Sequence, residues 1–214
     1  MPPRWWELKR MRTSLKTIVV ATRNAGKTRE FARLLEPLGL TVRGLSDCPD
    51  APDIVEDGDT FADNALKKAR TIAEAFGLPV LADDSGLSVE ALGGRPGVHS
   101  ARYAGPNATD ADRINKLLSE LQGVPDAERT ASFHCALVLA WPGDGELMVE
   151  GLVQGRILHE PRGEHGFGYD PIFYVPALGK TFAELTTEEK NKHSHRAKAA
   201  ELLVEALQHA PVGR

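Results

Sequence analysis

The chain has 214 residues, 42% of them hydrophobic and 26% charged, which suits one sizeable globular domain with room for two lobes. No apolar run approaches the roughly 20 residues that span a bilayer. A formal net charge of −4 argues against a general nucleic-acid binder, which needs a basic face, so any anionic substrate must be held by a few locally placed cations.

The start, MPPRWWELKRMRTSLK, is basic and carries two tryptophans but lacks the apolar core of a signal peptide. Residues 1–15 read as a loosely held N-terminal extension, with Met11 as an alternative start; one domain is expected over 16–210. KTIVVAT (16–22) reads as a buried strand. GKTREFARLLEPL (26–38) follows as a helix with Phe31, Leu34, Leu35 and Leu38 at helical spacing. LTVRGL is a second short strand, and 46–59 is a loop. Thr60, with Asp63 three residues on, marks the start of a helix over 61–76. A strand over 79–83 then ends in two acids, and 93–105 is Gly-rich and irregular. A helix over 109–121 precedes two long strands, about 130–141 and 146–155, joined by the hairpin signal PGDG. After a loop (160–171) and the short strand PIFYV, residues 186–208 are helical, with Leu202, Leu203, Ala206 and Leu207 facing inward. Early alternation of strands and helices with a later hairpin predicts an α/β fold with a mixed sheet. Cys48 and Cys135 fit no metal spacing and imply no disulfide framework, which favours a reducing cytoplasm.

Five stretches carry chemistry. In ATRNAGKTRE a strand feeds a helix N-terminus, where free N–H groups and the helix dipole favour an anion. Gly26-Lys27-Thr28 match the end of a P-loop, but Ala21 stands where the loop-shaping first glycine belongs. An ordinary helix cap with a solvated Lys27 is the bland alternative. In EDGDTFADNALKKA, Asn64 and Lys68 share a helical face just after Glu56, and either converge on a metal–phosphate group or form a solvated face. VLADDSGL poses the sharpest question. Strand alternation sends Asp83 and Asp84 to opposite faces, so at least one is buried and must be paired or bound to a metal. A strand-end turn would explain the same residues, and alternation does not say which acid does what. Finally, GEHGFGYDPIF surrounds Asp170 with glycines and aromatics, and EEKNKHSHRAKA supplies Lys190, His195 and Arg196. A continuous helix would point Lys190 and Arg196 apart, so a shared ligand requires a break, for which Ser194 is a good N-cap.

In this order, ATRNAGKTREF, GDTFADNALKKA, LADDSGLSVEALGGRPGVHSARYAG, FHCALV, GFGYDPIF and AELTTEEKNKHSHRAKA resemble the inosine/xanthosine triphosphate pyrophosphatase family, from about Lys16 to Leu207. The resemblance implies a long mixed β-sheet flanked by helices, two lobes with a central cleft, and a homodimer. It implies Mg²⁺-dependent hydrolysis of ITP, dITP and XTP to the monophosphate and pyrophosphate, with small-molecule nucleotides as partners and neither nucleic acid nor membrane. Residue by residue, Thr22, Asn24, Gly26, Lys27 and Lys68 would hold the triphosphate. Glu56 and Asp84 would bind Mg²⁺, and Asp84 would accept the proton of the attacking water. Ser85 would touch substrate, and Asp83 would support these residues. Phe167, Gly168, Tyr169, Asp170, Lys190, His195 and Arg196 would form the base and sugar pocket. Arg23 departs from the family, where many members have glycine: it either reshapes the loop or adds a phosphate contact. A P-loop NTPase releasing orthophosphate and a non-catalytic nucleotide sensor are the rival readings.

Overall fold

The computed structural model describes residues 16–143 and 145–208, so the expected N-terminal extension lies outside the described residues. Along them run β1 (Thr17–Val20), α1 (Ala25–Leu34), β2 (Thr41–Gly44), α2 (Phe61–Phe76), β3 (Val80–Val89), α3 (Asp110–Glu120), β4 (Thr130–Trp141), β5 (Gly145–Ile157), β6 (Phe173–Val175), β7 (Lys180–Thr181), α4 (Thr187–His193) and α5 (His195–Gln208). The strands form one seven-stranded sheet in the order β2-β1-β3-β4-β5-β6-β7. β1 is parallel to β2 and β3, whereas β6 is antiparallel to β5 and β7. The expected mixed α/β architecture is therefore present. The chain folds as two compact units. The first takes its described residues from within Met1–Asp84, Cys135–Gly151 and Lys198–Arg214; the second is Ser85–His134 with Leu152–Ala197.

In the first unit, strand alternation sorts the core into two layers. Ile18, Val20, Leu81, Cys135, Leu137 and Leu139 pack with Phe31 and Leu35 beside α1 and with Ala199, Leu203 and Leu207 of α5. Their neighbours Val19, Val80, Ala82, Ala136, Val138 and Ala140 pack with Ala65, Ala69, Ile72 and Ala73 of α2. Both faces are covered, which is why these strands read as continuous apolar runs. The small residues on the α2 layer leave room for that helix to lie close to β3. The second unit has its own core, in which Leu87, Phe133, Ile157, Phe173 and Phe182 gather against Ile114 and Leu117 of α3.

Several elements differ from the sequence expectation. The first helix ends at Leu34 and tightens into a 3₁₀ turn over Glu36–Leu38, because a proline offers no N–H and restricts the residue before it. β3 does not end at the acids. It runs on to Val89, leaving Asp83, Asp84 and Ser85 in mid-strand. Leu202 is 44% exposed; the buried stripe of α5 is Ala199, Ala200, Leu203 and Leu207, and Leu202 lies one position off it. β7, two residues long, has no periodicity to announce it.

Candidate active site

The two acids face different helices. Asp83 shares a face with Leu81, and its Oδ2 accepts from Lys27 Nζ of α1 at 2.8 Å. Asp84 shares a face with Ala82, where α2 presents Asn64 and Lys68 one turn apart. Asn64 Nδ2 donates to Asp84 Oδ2 at 3.2 Å, and its Oδ1 accepts the Gly58 N–H at 2.8 Å, which fixes the preceding loop. Lys68 Nζ lies 2.8 Å from Glu56 Oε1 and 3.5 Å from Asp84 Oδ1. Asn64 thus organises the cluster, one of the two arrangements that its helical face with Lys68 just after Glu56 left open.

Electrostatics follow from this burial. Burial pushes the Asp84 carboxyl above its ordinary value, with Lys68 opposing and Glu56 adding to the rise. Burial alone would lower Lys68, but Asp84, Asp83 and the hydrogen bond to Glu56 outweigh it and hold the ammonium above its ordinary value. Glu56 and Asp84 therefore converge on one buried positive charge. Two converging carboxylates suit a hard divalent cation whose remaining positions go to water and phosphate oxygens. Among the described residues no group of three or more His, Cys, Asp or Glu side chains is placed to hold a metal.

The start of α1 is capped from within the chain. Asn24 caps it: Asn24 Oδ1 accepts the N–H groups of Gly26 at 2.8 Å and Lys27 at 3.2 Å, while Thr22 Oγ1 accepts the Asn24 N–H at 3.1 Å. A side-chain cap satisfies donors that a ligand would otherwise take. A Cβ at Gly26 would lie 3.0 Å from Asn24 Oδ1 and so would crowd the capping amide. Arg23 has no positive φ, so the loop keeps an ordinary shape without glycine at that position. A cavity of about 280 Å³ opens beside these residues, lined by Thr22, Arg23, Lys27, Glu56, Lys68 and Asp83 among others.

In the second unit, Asp170 is the centre. Its buried carboxylate pairs with Lys190 Nζ and accepts the Phe167 N–H at 2.9 Å. Gly166, at φ +81°, leaves space that the carboxylate fills: a Cβ there would lie 2.1 Å from Asp170 Oδ2. Phe167 is 47% exposed, with Lys190 Nζ 4.7 Å and Arg196 Cζ 5.2 Å from its ring centroid. Tyr169 and His195 are buried beside this loop. Tyr169 is a core side chain whose hydroxyl donates to Ser100 O at 3.0 Å. The buried His195 ring stacks on Phe133 with centroids 4.8 Å apart. Ser85 lies in mid-strand, half-buried. Sequence reasoning missed Asp110, whose Oδ2 accepts the Gly168 N–H at 2.7 Å and whose carboxylate also pairs with Arg113; only its place in the first turn of α3 hinted at a role.

The helix break is as expected. α4 ends at His193 and α5 begins at His195, with Ser194 between them in an extended conformation. The Ser194 N–H donates to Lys190 O at 2.9 Å, closing α4, and Ser194 Oγ accepts the Ala197 N–H at 3.1 Å, opening α5.

The site thus sets acids on the third strand of a mixed seven-stranded sheet against lysines of the first two helices. The Ham1 family model matches residues 18–206, and the chain belongs to that family. A dITP/XTP pyrophosphatase of Geobacillus kaustophilus is 60% identical over 185 residues, covering 86% of this chain and 91% of that protein. One from Bacillus subtilis is 52% identical over 194 residues, covering 91% and 98%. A solved HAM1 protein from Coxiella burnetii aligns with a TM-score of 0.84 at 48% identity, covering 91% of this chain and 99% of that one. The resemblance drawn from the six motifs is thereby borne out.

Proposed function

We propose that this chain, a nucleoside triphosphate pyrophosphatase, hydrolyses ITP, dITP and XTP to the monophosphate and pyrophosphate with Mg²⁺, removing non-canonical purines from the nucleotide pool. The observation that best supports this is the Glu56–Lys68–Asp84 convergence beside the Asp83–Lys27 pair. Glu56 and Asp84 would hold Mg²⁺, which would supply charge neutralisation for the phosphates and a more acidic water. Asp84 orients the attacking water and accepts its proton. Lys27 and Lys68 stabilise charge on the phosphates as the bond between the α- and β-phosphates breaks. Thr22, Asn24 and Gly26 shape the loop beside them, and Ser85 contacts substrate.

Phe167 and the loop to Asp170 take the base, with Lys190, His195 and Arg196. An ammonium has three donors and no acceptor, and Asp170 uses one of the three on Lys190. The others suit the 6-oxo group of hypoxanthine or xanthine and oppose the 6-amino group of adenine. Arg196 supplies donors near position 2, against guanine's amino group. The chain acts as a homodimer in the reducing cytoplasm, consistent with two cysteines outside any disulfide among the described residues. No described helix is long and apolar enough to cross a membrane. Incubation with ITP and Mg²⁺ should give IMP and pyrophosphate, with activity lost in EDTA. IDP and orthophosphate would favour the P-loop rival, and binding without turnover would mark a sensor.

A further inference from the structure

We propose that Arg23 grips the terminal phosphates of the substrate and that Asp53 is the resting partner it leaves to do so. This rests on the triphosphate reading of the first unit's cluster. Arg23 directly follows Thr22 and lines the same cavity as Lys27 and Lys68. Its guanidinium lies 3.5 Å from Asp53 Oδ1 and donates to Ala51 O at 3.3 Å, while its own carbonyl accepts from Ser46 Oγ at 3.2 Å. The backbone is held, and the side chain, 55% exposed, stands at the cavity wall.

Three carboxylates, Glu56, Asp83 and Asp84, already face the ammoniums of Lys27 and Lys68, so both lysines reach a phosphate only in competition with these partners. Arg23 is held far more weakly. Asp53 is fully exposed at 102%, and an exposed ion pair contributes about 0–1 kcal/mol. A phosphate offers the guanidinium two oxygens at once, in the fork geometry that arginine matches better than lysine. Exchange of Asp53 for a phosphate is therefore favourable, and the proposal assigns it to the polyphosphate tail.

The test is calorimetric titration, with Mg²⁺ present, of wild type, Arg23→Gln, Arg23→Lys and Asp53→Asn with inorganic tripolyphosphate and with IMP. Arg23→Gln should weaken tripolyphosphate at least about tenfold, the loss expected for a hydrogen bond to a charged group, and leave IMP unchanged. Arg23→Lys, which keeps charge but loses the fork, should fall between. Asp53→Asn should tighten tripolyphosphate by about twofold, the scale of an exposed pair. Equal tripolyphosphate affinity in wild type and Arg23→Gln overturns the proposal, as does a matching loss for IMP, which would mark Arg23 as a loop staple. The heat of binding needs no turnover. If wild type fails to hydrolyse ITP while the Arg23 effect stands, only the functional reading falls.

Discussion

Asp83 and Asp84 are adjacent in sequence and opposite in surroundings. Asp84→Asn keeps the shape and removes the proposed proton acceptor, so kcat should fall by at least about 10²-fold, the lower end for general acid–base groups. Asp83→Asn should act on stability more than on chemistry. It leaves Lys27 without its buried partner, at a cost of about 1–3 kcal/mol, with a smaller loss of kcat at saturating Mg²⁺. Steady-state rates and urea unfolding on both variants separate the two, and a larger kcat loss for Asp83→Asn would reverse their roles. Lys190→Met should shrink the ratio of kcat/KM for ITP over ATP and also lower the melting temperature, because Asp170 stays buried without its ammonium. An equal loss on both nucleotides would assign Lys190 to structure alone. At this scale the sequence was legible in part. Alternation demanded opposite faces for the two acids, but which helix covers which face is a tertiary fact. The stacking of His195 on Phe133 was hidden for the same reason, since nothing local brings β4 to the start of α5.

Among the elements, the Ser194 junction was readable because a geometric demand and a capping residue fell together. Ser194→Ala should cost about 1 kcal/mol, the usual worth of an N-cap, seen as a lower unfolding midpoint, and should raise KM for ITP by loosening His195 and Arg196. The loop following Gly166 is pinned from α3 through Asp110. Burial pushes the Asp110 carboxyl up, but the Gly168 N–H and Arg113 outweigh it and hold it below the ordinary value of 3.8. A depressed folded value means that the ionised acid stabilises the fold above pH 3.8 and that the contribution fades as pH falls through the folded pKa. Asp110→Asn should therefore be less stable than wild type at neutral pH, with the difference closing in acid titrations of unfolding. A constant difference down to low pH would show that the carboxylate charge is not what matters. Long periodic elements such as α2 were legible to the residue, Thr60 capping Asp63 as expected. β7 was not, because a two-residue strand is made by its neighbour β6 and not by its own pattern.

At the scale of the whole molecule, the division into two units leaves no compositional trace. One boundary falls between Asp84 and Ser85 inside β3, and others interrupt β4, β5 and α5, so no Pro- or Gly-rich linker marks it. Continuous strands argue for cooperative opening: the amides of Leu81 and Leu87, one in each unit's core, should share one opening free energy in native-state hydrogen exchange. Separate values would show that the units open independently. The internally paired lysines have a further consequence. A protein that binds a polyanion usually draws it in through a positive field, and raising the ionic strength then slows capture. Here Lys27 and Lys68 are matched by carboxylates, and the chain as a whole carries a net charge of −4. A nucleotide approaches against a like-signed field, and dissolved salt screens that repulsion over a Debye length of about 8 Å at physiological strength. Stopped-flow capture of ITP should hold steady or quicken as salt rises from low to physiological levels, whereas a steep decline would reveal a positive field in the empty protein.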